Sequence, residues 1–206
     1  MWVKFGVMIS PEARWAIVPV DRLAGLQRGE TGLVTLDWSR ILASDPWLGL
    51  LLPGRDYNRE LLAQLEVVRL PPAAIVGAFL AHPFLDLDRL LHAVERAGGG
   101  GIAAFPGISR LTGGFAATAD QGGLSLASEA QRLQSAADCG FVTVATVGAP
   151  GLGPPAVAPT VDWVVAPPRV PRSELPAVRA GVLDYRAGAG SAQRLPLTLR
   201  REPAAP

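Results

Sequence analysis

Short apolar runs bounded by turn residues recur along the chain, at Trp15–Val20, Gly32–Leu36, Ala74–Leu80, Gly101–Phe105, Phe141–Val147 and Asp162–Ala166. They are nearly continuous rather than alternating, the pattern of strands covered on both faces in a parallel sheet. Amphipathic helices lie between several of them. Asp56 or Asn58 can cap a helix whose Leu61, Leu62, Leu65 and Val68 share a face. Asp86 can cap the next, with Leu87, Leu90, Leu91 and Val94 inward, with Asp88, His92, Glu95 and Arg96 outward, and with a stop at Gly98. Ser125 can cap a third, with Leu126, Ala130, Leu133 and Ala137 inward and Gly140 at its end. Strand–helix alternation predicts right-handed βαβ units.

Residues 77–115 show the repeat unit best, reading as strand, polar turn, helix, glycine stop, strand and long loop. After Val147 the pattern weakens. Gly148–Pro159 is too rich in Gly and Pro for a regular helix. The tail offers a helix at Ser173–Arg179 and strand-like runs at Gly181–Tyr185 and Leu195–Leu199, and Trp2–Ile9 reads as an extra strand. A closed eight-unit barrel typically takes about 250 residues. This chain has 206 and shows about six clear βα units. The expected fold is α/β: a shortened or irregular TIM-barrel-like (β/α) domain over residues 1–206, with a divergent segment, 167–206, closing or extending the barrel. An edge left open would need covering by the tail or by another subunit.

Composition narrows the functional classes. A formal net charge of +1 makes no electrostatic case for nucleic acid. The longest apolar stretch, Pro71–Leu85, holds His82 and three prolines and is too short to span a membrane. Neither a membrane nor a nucleic-acid partner is expected. One cysteine, Cys139, excludes an intrachain disulfide, and a reducing, cytoplasmic setting fits. With two His and one Cys, no metal site and no cofactor are expected.

The order and spacing of certain residues resemble the phosphoenolpyruvate hydrolase-like family, also called the TIM-barrel signal transduction family. The resemblance runs through roughly residues 33–166. Gly77, Pro83, Phe84, Asp86, Asp88, Arg89 and Leu91 carry it around the third strand, and Phe105, Pro106 and Gly113 after the fourth. Leu51, Leu52, Pro53, Asp56 and Asn58 match the loop and helix start after the second strand; Arg40, Gly123 and Glu129 match further positions. The resemblance implies a (β/α)8-type barrel related to phosphoenolpyruvate-utilising enzymes, with its site at the C-terminal strand ends. Departures fall at those ends: His82 replaces an acidic residue, Ala103 and Ala104 replace polar residues, Asp37 replaces an asparagine, and Pro167 or Pro168 stands where a histidine is expected.

Candidate chemistry follows from position. His82, after the third strand, is either a general acid or base or a structural histidine. Asp37 can orient it, or form a loop salt bridge. Arg40 can hold a carboxylate bidentately. Glu129 either reaches the barrel mouth or interacts with its own helix N-terminus. Arg110 can line the mouth, and Trp38, Phe79 and Phe105 can form an apolar pocket for a small-molecule ligand, or ordinary core. Cys139 reads as an inert thiol. Three functions are therefore expected in competition. The first is a metal-independent lyase, isomerase or cyclase acting on a small, largely apolar biosynthetic intermediate. The second is a non-catalytic barrel binding a ligand or a protein, with an interface suited to a homodimer. The third is a phosphoenolpyruvate-type lyase using Mg2+.

Overall fold

The computed structural model describes residue 9 and residues 14–26, 29–36, 56–111, 113–148, 161–166, 178–185 and 195–199. Eight strands form a closed barrel in sequence order: β1 Arg14–Pro19, β2 Glu30–Thr35, β3 Ile75–Ala78, β4 Gly101–Ala104, β5 Val142–Thr146, β6 Val161–Ala166, β7 Val178–Tyr185 and β8 Leu195–Leu199. The first seven run parallel. β8 runs antiparallel to both neighbours, pairing Leu183 with Leu199 on β7 and Trp15 with Leu197 on β1. The C-terminal segment thus supplies two strands, and the second inserts between the two edges.

Among the described residues, four α-helices lie outside: α1 Tyr57–Leu65, α2 Leu87–Ala97, α3 Gly113–Gln121 and α4 Leu126–Asp138. Their starts follow the sequence closely. The carboxylate of Asp56 accepts from Arg59 N, that of Asp86 from Arg89 N, and the hydroxyl of Ser125 from Ser128 N. Each satisfies a backbone donor that the first helical turn leaves open. Asn58 is therefore not the cap of α1. Gly98 ends α2 at φ 95°, a left-handed conformation that favours glycine.

Three expectations are corrected. α3 lies where a loop was expected, because its sequence GGFAATADQ has no apolar stripe and buries only Ala119. On α4 the buried face is Glu129, Ala130, Leu133 and Ala136, while Leu126, in the first turn, is 40% exposed. The end of the helix expected at Ser173–Arg179 is strand: β7 begins at Val178 and pairs with β6 there. Trp2–Met8, Ala149–Pro159 and residues 173–177 lie outside the described residues.

Strand periodicity separates two cores. Trp15, Leu33, Phe105, Trp163 and Leu183 fill the barrel interior, where the Trp15 and Trp163 rings sit 5.1 Å apart. Ala16, Val18, Val34, Val76 and Ile102 face outward beneath the helices, against Leu61, Leu90, Leu91 and Val94. Burying one large apolar side chain contributes about 1.5–3 kcal/mol, so this interior cluster favours the closed barrel.

Close approach explains one small residue. A Cβ on Gly101 would lie 2.3 Å from Ile75 Cδ1 and 2.6 Å from the Val142 carbonyl oxygen. Gly101→Ala should therefore cost about 1–3 kcal/mol through overpacking. Gly114→Ala, on α3 with nothing within 4 Å, should instead stabilise by about 0.5 kcal/mol through helix propensity. Urea unfolding of both variants checks the opposite signs.

Candidate functional site

At the C-terminal ends of β2 to β5, polar side chains reach across the sequence to hold backbone. Tyr57, opening α1, hydrogen-bonds through its hydroxyl with the Thr35 hydroxyl, accepts from Leu36 N at 3.3 Å and donates to the Gly77 carbonyl at 3.4 Å. Asn58 pairs its amide with both backbone groups of Phe79: Nδ2 donates to the carbonyl at 2.9 Å and Oδ1 accepts from the N–H at 3.0 Å. Thr146 donates to the Ala104 carbonyl, and Ser109 donates to the Thr146 carbonyl at 2.6 Å.

α4 contributes two residues one turn apart, and they hold two different loops. Glu129 Oε2 accepts from Ile108 N at 3.0 Å, fixing the loop after β4. Arg132 donates from Nη1 to the carbonyls of Leu80 and His82, the latter at 2.6 Å, and from Nη2 to that of Pro83 at 3.4 Å. One cation thus binds three carbonyls of the loop after β3. Burial pulls the Arg132 guanidinium below its ordinary value. Glu129 is 4% exposed. Burial pushes its carboxyl up to about 8, and the Ile108 N–H offsets only part of this. At neutral pH the group is therefore largely a neutral acid.

His82 lies outside the barrel interior. Its ring stands edge-on between Phe79, 6.1 Å away, and Phe84, 6.0 Å away, continuing a line of rings from core to surface. It lines a groove of about 540 Å³ along the α1–α2 seam. Leu62, Ala63 and Leu85 supply apolar lining, with Arg59 and Arg89 against Asp56, Glu66 and Asp86. Arg89 and Glu66 form an exposed ion pair at 4.0 Å, a contact worth little in solvent.

Among the described candidates, Phe79, Phe105, Glu129 and His82 take separate positions. Phe79 and Phe105 are 1% and 2% exposed, packed in the core instead of lining an open pocket. They belong to different clusters, Phe79 to the outer one and Phe105 to the interior. Glu129 meets the loop after β4, and His82 meets the groove. Arg110 ends the 3-10 turn Ile108–Arg110 after β4. Asp37, Trp38 and Arg40 lie outside the described residues. Cys139 is partly buried; burial, then the charges of Asp88 and Asp138, raise its thiol, which suits a poor nucleophile. Sequence reading missed Arg132, whose targets lie about fifty positions upstream. Its only local signal was a position on the helix face shared with Glu129.

Mg2+ requires several converging oxygen ligands. Glu129, the buried carboxyl among the described residues, is already turned to a backbone N–H. Among the described residues no three His, Cys, Asp or Glu side chains come together. These residues do not fit a Mg2+ centre. Among the described residues, too, no helix is long and apolar enough to cross a membrane.

No family model matches the chain. It is similar to the uncharacterized protein y4oT of Sinorhizobium fredii (strain NBRC 101917 / NGR234), with 31% identity over 118 residues. The match covers 57% of this chain and 60% of that protein.

The Glu129 carboxyl makes stability depend on pH. Its folded pKa is about 8 against 4.5 as the reference, so between these values the folded state keeps a proton that the unfolded state releases. Stability then falls as pH rises through this window, by up to about 1.4 kcal/mol per unit, and levels off above it. Glu129→Gln keeps an acceptor for Ile108 N and has no such proton. The variant should gain on the wild type between pH 5 and pH 8 in urea unfolding; parallel profiles would refute a buried neutral acid.

Proposed function

We propose that this chain works by binding, as a non-catalytic barrel whose outer α1–α2 groove takes up a ligand or a protein partner. One observation carries the reading. At the ends of β2 to β5, the described side chains of Tyr57, Asn58, Ser109, Glu129, Arg132 and Thr146 are turned onto backbone groups and hold the loops in place. The groove, by contrast, brings an aromatic ring, a histidine and charges of both signs to the surface.

The proposed ancestry is a shortened TIM barrel akin to the phosphoenolpyruvate hydrolase-like family. Seven parallel strands in sequence order support that reading. So does the resemblance carried by Gly77, Pro83, Asp86, Asp88, Phe105 and Pro106.

A second reading is a metal-independent lyase, isomerase or cyclase with His82 as acid or base. The half-buried His82 ring, in a groove with Arg59 and Asp86, favours it.

A thermal-shift screen of small acids, phosphorylated acids with and without Mg2+, and apolar metabolites separates the two, with products followed by mass spectrometry. Binding predicts that compounds stabilising the wild type are recovered unchanged and no longer stabilise Ala63→Trp, which fills the groove. A compound converted by the wild type and left intact by His82→Ala would replace the binding reading with the enzyme.

A further inference from the structure

Among the described residues the two most exposed large apolar side chains are Phe84, at 90%, and Val67, at 87%. Phe84 lines the α1–α2 groove, and Val67 directly follows Glu66, another of its lining residues. Isolated exposed apolar residues are ordinary on a protein surface. Phe84 differs in how firmly it is presented. Arg132 binds the carbonyls of His82 and Pro83 immediately before it, Leu85 N donates to the His82 carbonyl at 3.1 Å, and the His82 ring stands at its edge. A pre-organised aromatic loses little freedom when it enters a partner's pocket, and such residues anchor interfaces.

Knob and hole share one face, which is the condition for an isologous two-fold contact. The face carries both signs of charge, Arg59 and Arg89 beside Asp56, Glu66 and Asp86, so a second copy can meet its cations with carboxylates. A net charge of +1 adds little repulsion between copies.

We propose that the α1–α2 face pairs with a second copy of this chain, Phe84 of each copy seating in the groove of the other. This deepens the binding reading and rests on it.

Sedimentation velocity over a concentration series tests it, with Phe84→Ser removing the knob and Ala63→Trp filling the hole. Both positions are exposed, so circular dichroism should show both variants folded. The wild type should dimerise, and each variant alone should do so at least about 30-fold more weakly. An equimolar mixture should recover dimer, because the knob of Ala63→Trp fits the open hole of Phe84→Ser. A monomeric wild type, a dimer that neither variant weakens, or a mixture without recovery would each overturn the proposal. If the wild type is monomeric and a small molecule stabilises it but not Ala63→Trp, the dimer is wrong and the binding reading stands; a monomer with no such ligand removes both. A wild type that is monomeric alone but binds a different protein through Phe84 would likewise remove the dimer and keep the binding reading.

Discussion

A parallel sheet cannot end in solvent without leaving a row of unpaired backbone groups at each edge, and this fold depends on how that is solved. Seven parallel strands curl far enough to bring β1 and β7 within reach of one more strand. β8 enters between them antiparallel and pairs with both. An antiparallel strand needs no dozen-residue return. The barrel therefore closes with seven parallel strands and one antiparallel strand.

Large apolar side chains pack in the barrel interior. Trp15 and Trp163 meet across it, and Leu33 and Phe105 join them in the same cluster. Chemistry or recognition is then left to the loops and helices. There α4 has a second structural duty besides covering the sheet. Glu129 and Arg132, one turn apart, tie the loops after β4 and β3 to a single rigid helix. The same clamp that stills the β3 loop sets His82 and Phe84 at the head of the α1–α2 groove. Fold stability and surface presentation are thus coupled through one guanidinium.

Much of the architecture was legible from local pattern. Eight of the nine expected strand runs, the caps Asp56, Asp86 and Ser125, and the glycine stop at Gly98 appear within a residue or a few of their expected positions. The candidate site was far less legible. Phe79 and Phe105 end apolar strands, and sequence cannot tell a ring that lines a mouth from one that fills a core. Glu129 looked like a helix-end charge because its partner, Ile108 N, lies 21 positions away. α3 escaped notice because a mostly exposed helix has no apolar stripe to betray it.

The sequence by itself determined what neighbours along the chain decide: which segments extend, which coil, where each helix starts and stops, and which faces are apolar. Those depend on backbone preference and on side chains within a turn or two. Only the tertiary structure decided the direction of β8, the burial of a carboxyl in the α4 face, the three carbonyls gathered by Arg132 and the placing of His82 outside the barrel interior. The first joins Leu197 to Trp15 across nearly the whole chain, and Arg132 reaches back 52 positions to Leu80. Their energies depend on burial and mutual orientation, which exist only once the barrel has closed.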